Sequence, residues 1–398
     1  MKILQICFRV PYPPHDGGAI AMYDILYNLS RKGHEVQVLA VNTPKHFQKD
    51  DVLKGVARLK TVYIDTTISP IKAFLNLFKK IPYNVERFIS KDFEKKLIEL
   101  LTRESFDIVH VEGTFVAYYI DVIRKYSKAP LVLRAHNVEY LIWQRLASNE
   151  KNPLKKIYLG VLSDKLKSFE KEYFSKYDVI AGITNEDNER LNELGVETTK
   201  EFVPAGVQLD RFVIDPAIVA KPNSMFIISS LNWLPNLEGL DWFVKKVWPV
   251  VKKQNPLLEL HIAGKDTPEE VLQLAGNGIF VHGYVDSASV FMQQYDLMLV
   301  PLLSGGGMRL KIIEGMALGK CILTSTIGAE GIACEQGKDI LKFDSPEEWS
   351  KSISNYFSNR EQYKVIGRRA HQVIQEKYDN DKVVDRLIEL YKRLLSRQ

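Results

Sequence analysis

Short apolar runs recur along the first half of the chain, KILQICF, EVQVLAV, TVYIDT, FDIVHVE, PLVLRAHN, DVIAGIT and FVPAG, with helical patterns between them. Runs this short and continuous suit strands buried on both faces, and their alternation with helices predicts a parallel sheet covered on both sides. After Phe212 the stretch VIDPAIVAKPN carries two prolines and no clear period, so it is expected to be a linker over 213–223. The alternation then restarts with SMFIISS, LLELHIAGK, GIFVHGY, LMLVPL, KCILTST and DILKFD. The organisation expected is an N-terminal domain over 1–212, the linker, a C-terminal domain over 224–380, and a closing helix over 381–398. In that helix Val384, Leu387, Ile388, Tyr391 and Leu394 share one side, with packing back toward the N-terminal domain one option. The fold class expected is α/β: two facing Rossmann-like, doubly wound parallel-sheet domains. Ligands on such sheets bind where loops leave the carboxyl ends of the strands, and the cleft between the domains is the default site.

Composition narrows the picture. At 398 residues the chain is too long for one compact core and suits two domains. Hydrophobic content of 45%, charged content of 26% and a mean hydropathy of −0.15 describe a globular protein with no apolar run long enough to cross a bilayer. The start MKILQICFRVPYPP reads as a first buried strand and not as a secretory signal, so a cytoplasmic location is expected, with the inner face of the membrane as a variant. Cys7, Cys321 and Cys334 are odd in number and lack metal-ligand spacing, which suits packing roles in a reducing compartment. A net charge of +5 is small for this length and implies no nucleic-acid partner. One stretch is both basic and apolar, SPIKAFLNLFKKIPYNVERFISKDFEKKL, where Ile71, Phe74, Leu75 and Phe78 share a helix face beside Lys72, Lys79 and Lys80. A solvated helix with an ordinary core face is the favoured reading, and peripheral membrane contact through 70–100 is the alternative.

The most chemistry lies in LMLVPLLSGGGMRLKIIEGMALGKCILTST. A buried strand leads into Ser304, Gly305, Gly306 and Gly307, and a helix follows in which Leu310, Ile313 and Ala317 repeat at helical spacing. Successive glycines let backbone amides turn toward a ligand, and a helix start adds partial positive charge, so the segment is expected to bind an anion. A helix terminus contributes only roughly 0.3–1 kcal/mol. Two phosphates need more, and Arg309 and Lys311 are expected to supply it through charge-assisted hydrogen bonds of about 1.5–3 kcal/mol each. Glu314, three residues beyond Lys311, is suited to clamp the two vicinal hydroxyls of a ribose. The competing reading is a glycine-rich turn followed by an ordinary surface helix.

The run Gly305–Gly319, with GAEG at Gly328–Gly331 after the next strand, resembles the signature of family 4 (group 1) retaining glycosyltransferases of the GT-B fold. The resemblance continues through GHEVQVL, HNVEYL, SSLNWLPNLEGLDWF and HGYVD, and so covers nearly the whole chain. It implies transfer of a sugar from a UDP- or GDP-sugar to an acceptor hydroxyl, with retention and with no metal or other cofactor. The acceptor implied is a glycan or a lipid-linked glycan, and the departing phosphate would help to deprotonate its hydroxyl. Family members carry two glutamates separated by seven residues here: Glu314 matches the second, the ribose ligand, whereas Gly306 stands where the first would contact the transferred sugar. Members also bring an Arg and a Lys from the loop matching Ser229–Asn236, which has no basic residue, so Arg309 and Lys311 are expected to replace them.

By the same resemblance His136 is the sugar-contacting or catalytic polar residue after PLVLRAHN, with Asn137 and Glu139 beside it as acceptor contacts or supports; Glu139 could orient His136 or simply open a helix. The loop His15, Asp16, Gly17 and Gly18 would face donor phosphates and acceptor, and Tyr284 and Val285 would hold the nucleotide base. The one Asp-x-Asp, Asp379 to Asp381, is read as a helix cap and not as a metal site. Two rival functions remain: a nucleotide-sugar epimerase or phosphorylase of the same fold, and a nucleotide-sugar-binding protein that has lost catalysis.

Overall fold

The computed structural model describes residues 1–14 and 16–397. They divide into two compact units, Met1–Ala205 with Asn380 onward, and Gly206–Asp379.

The sheet of the first unit is formed by β1 (Lys2–Cys7), β2 (Glu35–Asn42), β3 (Arg58–Tyr63), β4 (Ile108–Glu112), β5 (Leu131–Ala135), β6 (Val179–Gly182) and β7 (Lys200–Phe202). All pairs are parallel, in the order β3-β2-β1-β4-β5-β6-β7. The strand order reverses between β1 and β4, so the loops leaving their carboxyl ends diverge there, as at the ligand-binding switch point of doubly wound sheets. Alternate residues supply the two faces. Leu4, Ile6, Val109, Val111, Leu131 and Leu133 enter one core, and Ile3, Cys7, Ile108, Val132 and Val179 the other. On that second face the apolar alternation breaks near the switch point, where Gln5, His110, Glu112 and Arg134 are all buried.

The helix Asn380–Leu395 completes this second core. Val383, Val384, Leu387, Ile388, Tyr391 and Leu394 pack into it, the stripe expected from the sequence. Asn380 Nδ2 donates to Asp24 Oδ2 at 2.8 Å and Lys32 pairs with Asp385 at 2.8 Å, both on or beside the Gly17–Arg31 helix.

The second unit carries β8 (Lys221–Ile228), β9 (Glu259–Ala263), β10 (Ile279–Gly283), β11 (Tyr295–Val300), β12 (Ile322–Thr324) and β13 (Leu341–Lys342), again parallel, in the order β10-β9-β8-β11-β12-β13. Its switch point lies between β8 and β11. The expected α/β class, with two doubly wound sheets, is the fold observed.

The boundaries differ from those read in the sequence. The division falls ahead of Phe212 because Val207 is buried in the core of the second unit, its amide bonded to the Tyr378 carbonyl at 2.8 Å, with Leu209 and Phe212 packed against the same cluster. The last residues of the expected linker, Lys221–Asn223, open β8, where Pro222 is tolerated at the start of a strand. Asn380 belongs with the first unit through its bond to Asp24.

Leu387 is fully buried against this sheet. Leu387→Ala is expected to lower the stability of the first unit by about 2–5 kcal/mol. Urea unfolding, with hydrogen exchange at β1 and β4 amides, would register the loss.

Candidate functional site

In the second unit, β11 ends at Val300, and the chain runs through Pro301–Met308 before the helix Leu310–Ala317 begins, with Arg309 as its N-cap residue. Gly305 and Gly307 have φ of +110° and +72°. Gly305 is required twice over: its φ is left-handed, and a Cβ there would lie 2.9 Å from Arg309 Nη2 and 3.0 Å from Trp233 Cη2. Arg309 is buried; its Nη1 donates to the carbonyls of Gly306 and of Gly307 (2.8 Å for the latter), and its guanidinium lies 5.6 Å from the Trp233 ring centre. Through Nη1 it holds the glycine run in shape.

Lys311 is half-buried, and its Nζ donates to Asn236 Oδ1 at 2.7 Å; Asn236 Nδ2 in turn donates to the Ser230 carbonyl at 2.8 Å. The Ser229–Asn236 loop, which brings no cation, therefore brings the acceptor that aims the lysine. Burial, and then the Arg309 charge, push the Lys311 ammonium down to about 7, against the opposing pull of Glu314. Glu314 is half-buried on the same helix. Ser304 Oγ donates to Glu238 Oε2 at 2.7 Å, so a carboxylate from the Leu234–Trp242 helix reaches the start of the glycine run. Tyr284 is 62% exposed and Val285 packs against the core, both just past β10. From β11 across β8 and β9 to β10 is three strand spacings, ~14 Å. A depression of about 710 Å³ between the Trp248–Gln254 and Pro346–Ser358 helices includes none of these residues.

In the first unit the switch point holds a buried network. Glu112, the last residue of β4, has no exposure; it accepts from Gln5 Nε2 (2.6 Å), His110 Nε2 (3.1 Å) and His136 Nε2 (2.6 Å). Tyr391 of the closing helix lies 2.5 Å from His110 Nδ1, an arrangement in which the phenol donates to Nδ1 and His110 donates from Nε2. Burial alone would raise the Glu112 carboxyl, but His110 and His136 hold it far below the usual carboxylate range. Glu112 takes the His136 Nε2–H in the same way, so that in the neutral ring Nδ1 is the acceptor. Gly113, at φ +78°, leaves room for Phe8, which packs edge-on to His136 at 6.1 Å.

Glu139 does not orient His136; Glu112 does. Glu139 opens the helix Glu139–Asn149 and takes hydrogen bonds from Asn137 (3.5 Å) and Trp143. The amides of Glu139 and Tyr140 donate to Glu170 at 2.8 and 3.2 Å, as does the Thr114 hydroxyl at 3.3 Å. Burial pushes Glu139 up to about 7 and Glu170 up to about 8, and proximity of Glu139 adds to the second shift.

Asp16 is the N-cap of the Gly17–Arg31 helix. Its Oδ1 accepts from the amides of Gly18 (3.1 Å) and Ala19 (3.2 Å), and it pairs with Arg9 through Nη1 at 2.8 Å. The Gly18 amide is thus occupied by Asp16. His15 of this loop and Gln398 lie outside the described residues. Among the described residues, no group of three or more His, Cys, Asp or Glu side chains is placed to hold a metal ion.

Sequence reading missed Arg9, Glu112, Trp233, Asn236 and Glu238. A charged residue closing an otherwise apolar strand run, as in FDIVHVE, was the available signal for Glu112. Nothing local marks Asn236 as the partner of a lysine 75 residues away.

Residues 15–211 match the family described as Glycosyltransferase Family 4, and residues 222–359 match Glycosyl transferases group 1. An uncharacterized 44.6 kDa protein in the cps region of Klebsiella pneumoniae is 28% identical over 397 residues, covering 96% of this chain and 97% of the relative. Among solved structures, sucrose-phosphate synthase from Thermosynechococcus elongatus superposes over 100% of both chains at 15% identity with a TM-score of 0.76. Anabaena Alr3699/HepE in complex with UDP covers 99% of this chain and 100% of its own at 12% identity, with a TM-score of 0.70. The chain belongs to the group 1 glycosyltransferases and has their GT-B fold. It is accordingly a glycosyltransferase that takes its sugar from a nucleotide sugar.

The Glu139 and Glu170 pair yields a pH prediction. The folded chain keeps protons on carboxyls that the unfolded chain releases above about 4.5, so stability is expected to fall as pH rises from about 5 to about 8. Urea midpoints across that range would show the decline, and Glu139→Gln would flatten it by roughly 1–3 kcal/mol.

Proposed function

We propose that the donor is a UDP- or GDP-sugar whose diphosphate sits on the Gly305–Gly307 run at the start of the Leu310–Ala317 helix. The observation that carries this is Lys311: a lysine pushed down to about 7 and aimed by Asn236 beside a glycine loop at the β8/β11 switch point. A cation so placed in the absence of an anion is poised to become fully charged when one arrives. In this reading Glu314 takes the ribose hydroxyls, and Tyr284 with Val285 meets the base. The glycine loop and Tyr284 follow strands three spacings apart, ~14 Å across the sheet, which suits an extended nucleoside diphosphate.

Transfer proceeds with retention and without metal. The leaving diphosphate is stabilised by Lys311, by the backbone amides of the glycine run and by the helix start, while its own oxygen receives the acceptor's proton. Arg309 serves that step by fixing the loop. The acceptor is a glycan or a lipid-linked glycan, met by the first unit. There His136, its Nδ1 left as acceptor by Glu112, takes a hydrogen bond from a sugar hydroxyl. Glu238 is the carboxylate offered for the transferred sugar in place of the one missing at Gly306.

A panel of UDP- and GDP-sugars screened by thermal shift, followed by slow hydrolysis of the best binder, tests the donor. Lys311→Ala is expected to lower turnover by more than about tenfold with the fold intact. Parental turnover in that variant would sink the phosphate site, and saturable donor binding with neither hydrolysis nor transfer would make the chain a binding protein. Calorimetry gives a second test. Near pH 8 the free lysine is largely neutral, so UDP binding should take up protons, as read in buffers of different ionisation enthalpy, and Lys311→Met should abolish that uptake.

A further inference from the structure

The helix Pro70–Asn76 turns its polarity inside out. Its buried residues are Ala73 and Asn76, whereas Ile71, Phe74 and Leu75 are 74, 61 and 55% exposed, flanked by Ile68 at 66% and Phe78 at 82%. A solvated helix with a core face, the reading favoured from sequence, has the opposite pattern. The outward orientation is fixed: Asn76 Nδ2 donates inward to the Ile81 carbonyl at 2.9 Å, and Lys165 Nζ holds the carbonyls of Asn76 and Leu77 at 2.6 and 2.9 Å. Lys165 belongs to the helix Pro153–Phe174, and about 12 and 16 Å toward its start Ile157 and Leu154 are again exposed, at 65 and 79%.

Charge follows the same two segments. Lys72, Lys79 and Lys80 accompany the first, and Lys151, Lys155 and Lys156 the second; residues 66–85 and 151–163 contain no Asp or Glu. Of these lysines, Lys79 pairs with Glu86 and Lys155 with Glu150 at 2.6 Å. The segment that follows does not share the feature, since the Lys91–Arg103 helix buries Phe93, Leu97, Leu100 and Leu101. No helix among the described residues is long and apolar enough to cross a membrane.

We propose that this surface docks the chain on an anionic lipid bilayer, with Ile68, Ile71, Phe74, Leu75 and Phe78 entering the headgroup boundary and the lysines contacting anionic headgroups. Exposed aromatic and aliphatic side chains accompanied in the chain by exposed lysines match that surface in both polarity and sign. A second copy of the chain matches it poorly, because pairing through the patch would set lysines against lysines. The proposal is independent of the donor reading, since an inactive chain would still bind lipid.

The test is co-flotation of the purified full chain with phosphatidylcholine vesicles, with and without phosphatidylglycerol. Flotation is expected only with phosphatidylglycerol and to weaken with salt. The double variant Phe74→Ser with Phe78→Ser is expected to lower the bound fraction about tenfold or more, and Lys72→Glu with Lys80→Glu to do likewise. Both variants should keep the parental thermal shift with the nucleotide sugar, so that loss of docking is distinguished from loss of the donor site. Failure to float with either vesicle, equal flotation with both, or a concentration-dependent dimer that the phenylalanine variant dissolves would each overturn the proposal.

Discussion

A carboxylate with no solvent exposure, at the end of a central parallel strand, is the constraint on which the first unit turns. Removing a charge from water costs several kcal/mol unless hydrogen bonds replace hydration, and Glu112 takes three. They come from β1, from β4 itself and from the loop after β5, so the carboxylate can be satisfied only when those elements stand in one arrangement. The first strand, the switch point and the candidate sugar-contacting imidazole are therefore positioned by one group. A fourth element joins through Tyr391 and His110.

The second unit solves a similar problem with the opposite charge. Arg309 is buried among carbonyls of its own loop and under Trp233, where it shapes the glycine run. Lys311, two residues on, is held by one amide oxygen and by little else that favours its charge, which leaves it responsive to an incoming anion. In each unit one ionised group builds the loop and a neighbour is presented by it: Glu112 behind His136, Arg309 beside Lys311.

The strands were legible because parallel strands buried on both faces must be short and continuously apolar; most strands among the described residues fall on the runs read in the sequence, whereas β7, Lys200–Phe202, is half-buried and polar and touches the run FVPAG only at Phe202. The glycine loop and its helix were legible for a related reason, since few segments pair Gly-Gly-Gly with a following apolar stripe. What escaped reading depends on distant partners. The bonds of Arg309 to the carbonyls of Gly306 and Gly307 were not legible because they arise from backbone conformation. Glu139 looked like the support of His136 because it is near in sequence, whereas Glu112 reaches that ring from the neighbouring strand. The Pro70–Asn76 helix showed its stripe in sequence, but periodicity does not say whether a stripe faces the core or the outside.

The place of the closing helix bears on how the protein is made. Val383, Val384, Leu387, Ile388, Tyr391 and Leu394 belong to a core whose other walls, β1 to β6 and the Gly17–Arg31 helix, are all synthesised before the second unit begins. About 170 residues of the second unit separate the two. At ~5–20 residues per second the ribosome needs roughly 10–35 s to traverse them. Throughout that interval the part of this face that the closing helix packs against, including the side of the polar pocket that Tyr391 closes at His110, lacks that cover. A nascent chain of this design is therefore a natural client for a holding chaperone, and a stop codon only a few turns early would strand the first domain unfinished while leaving the second whole.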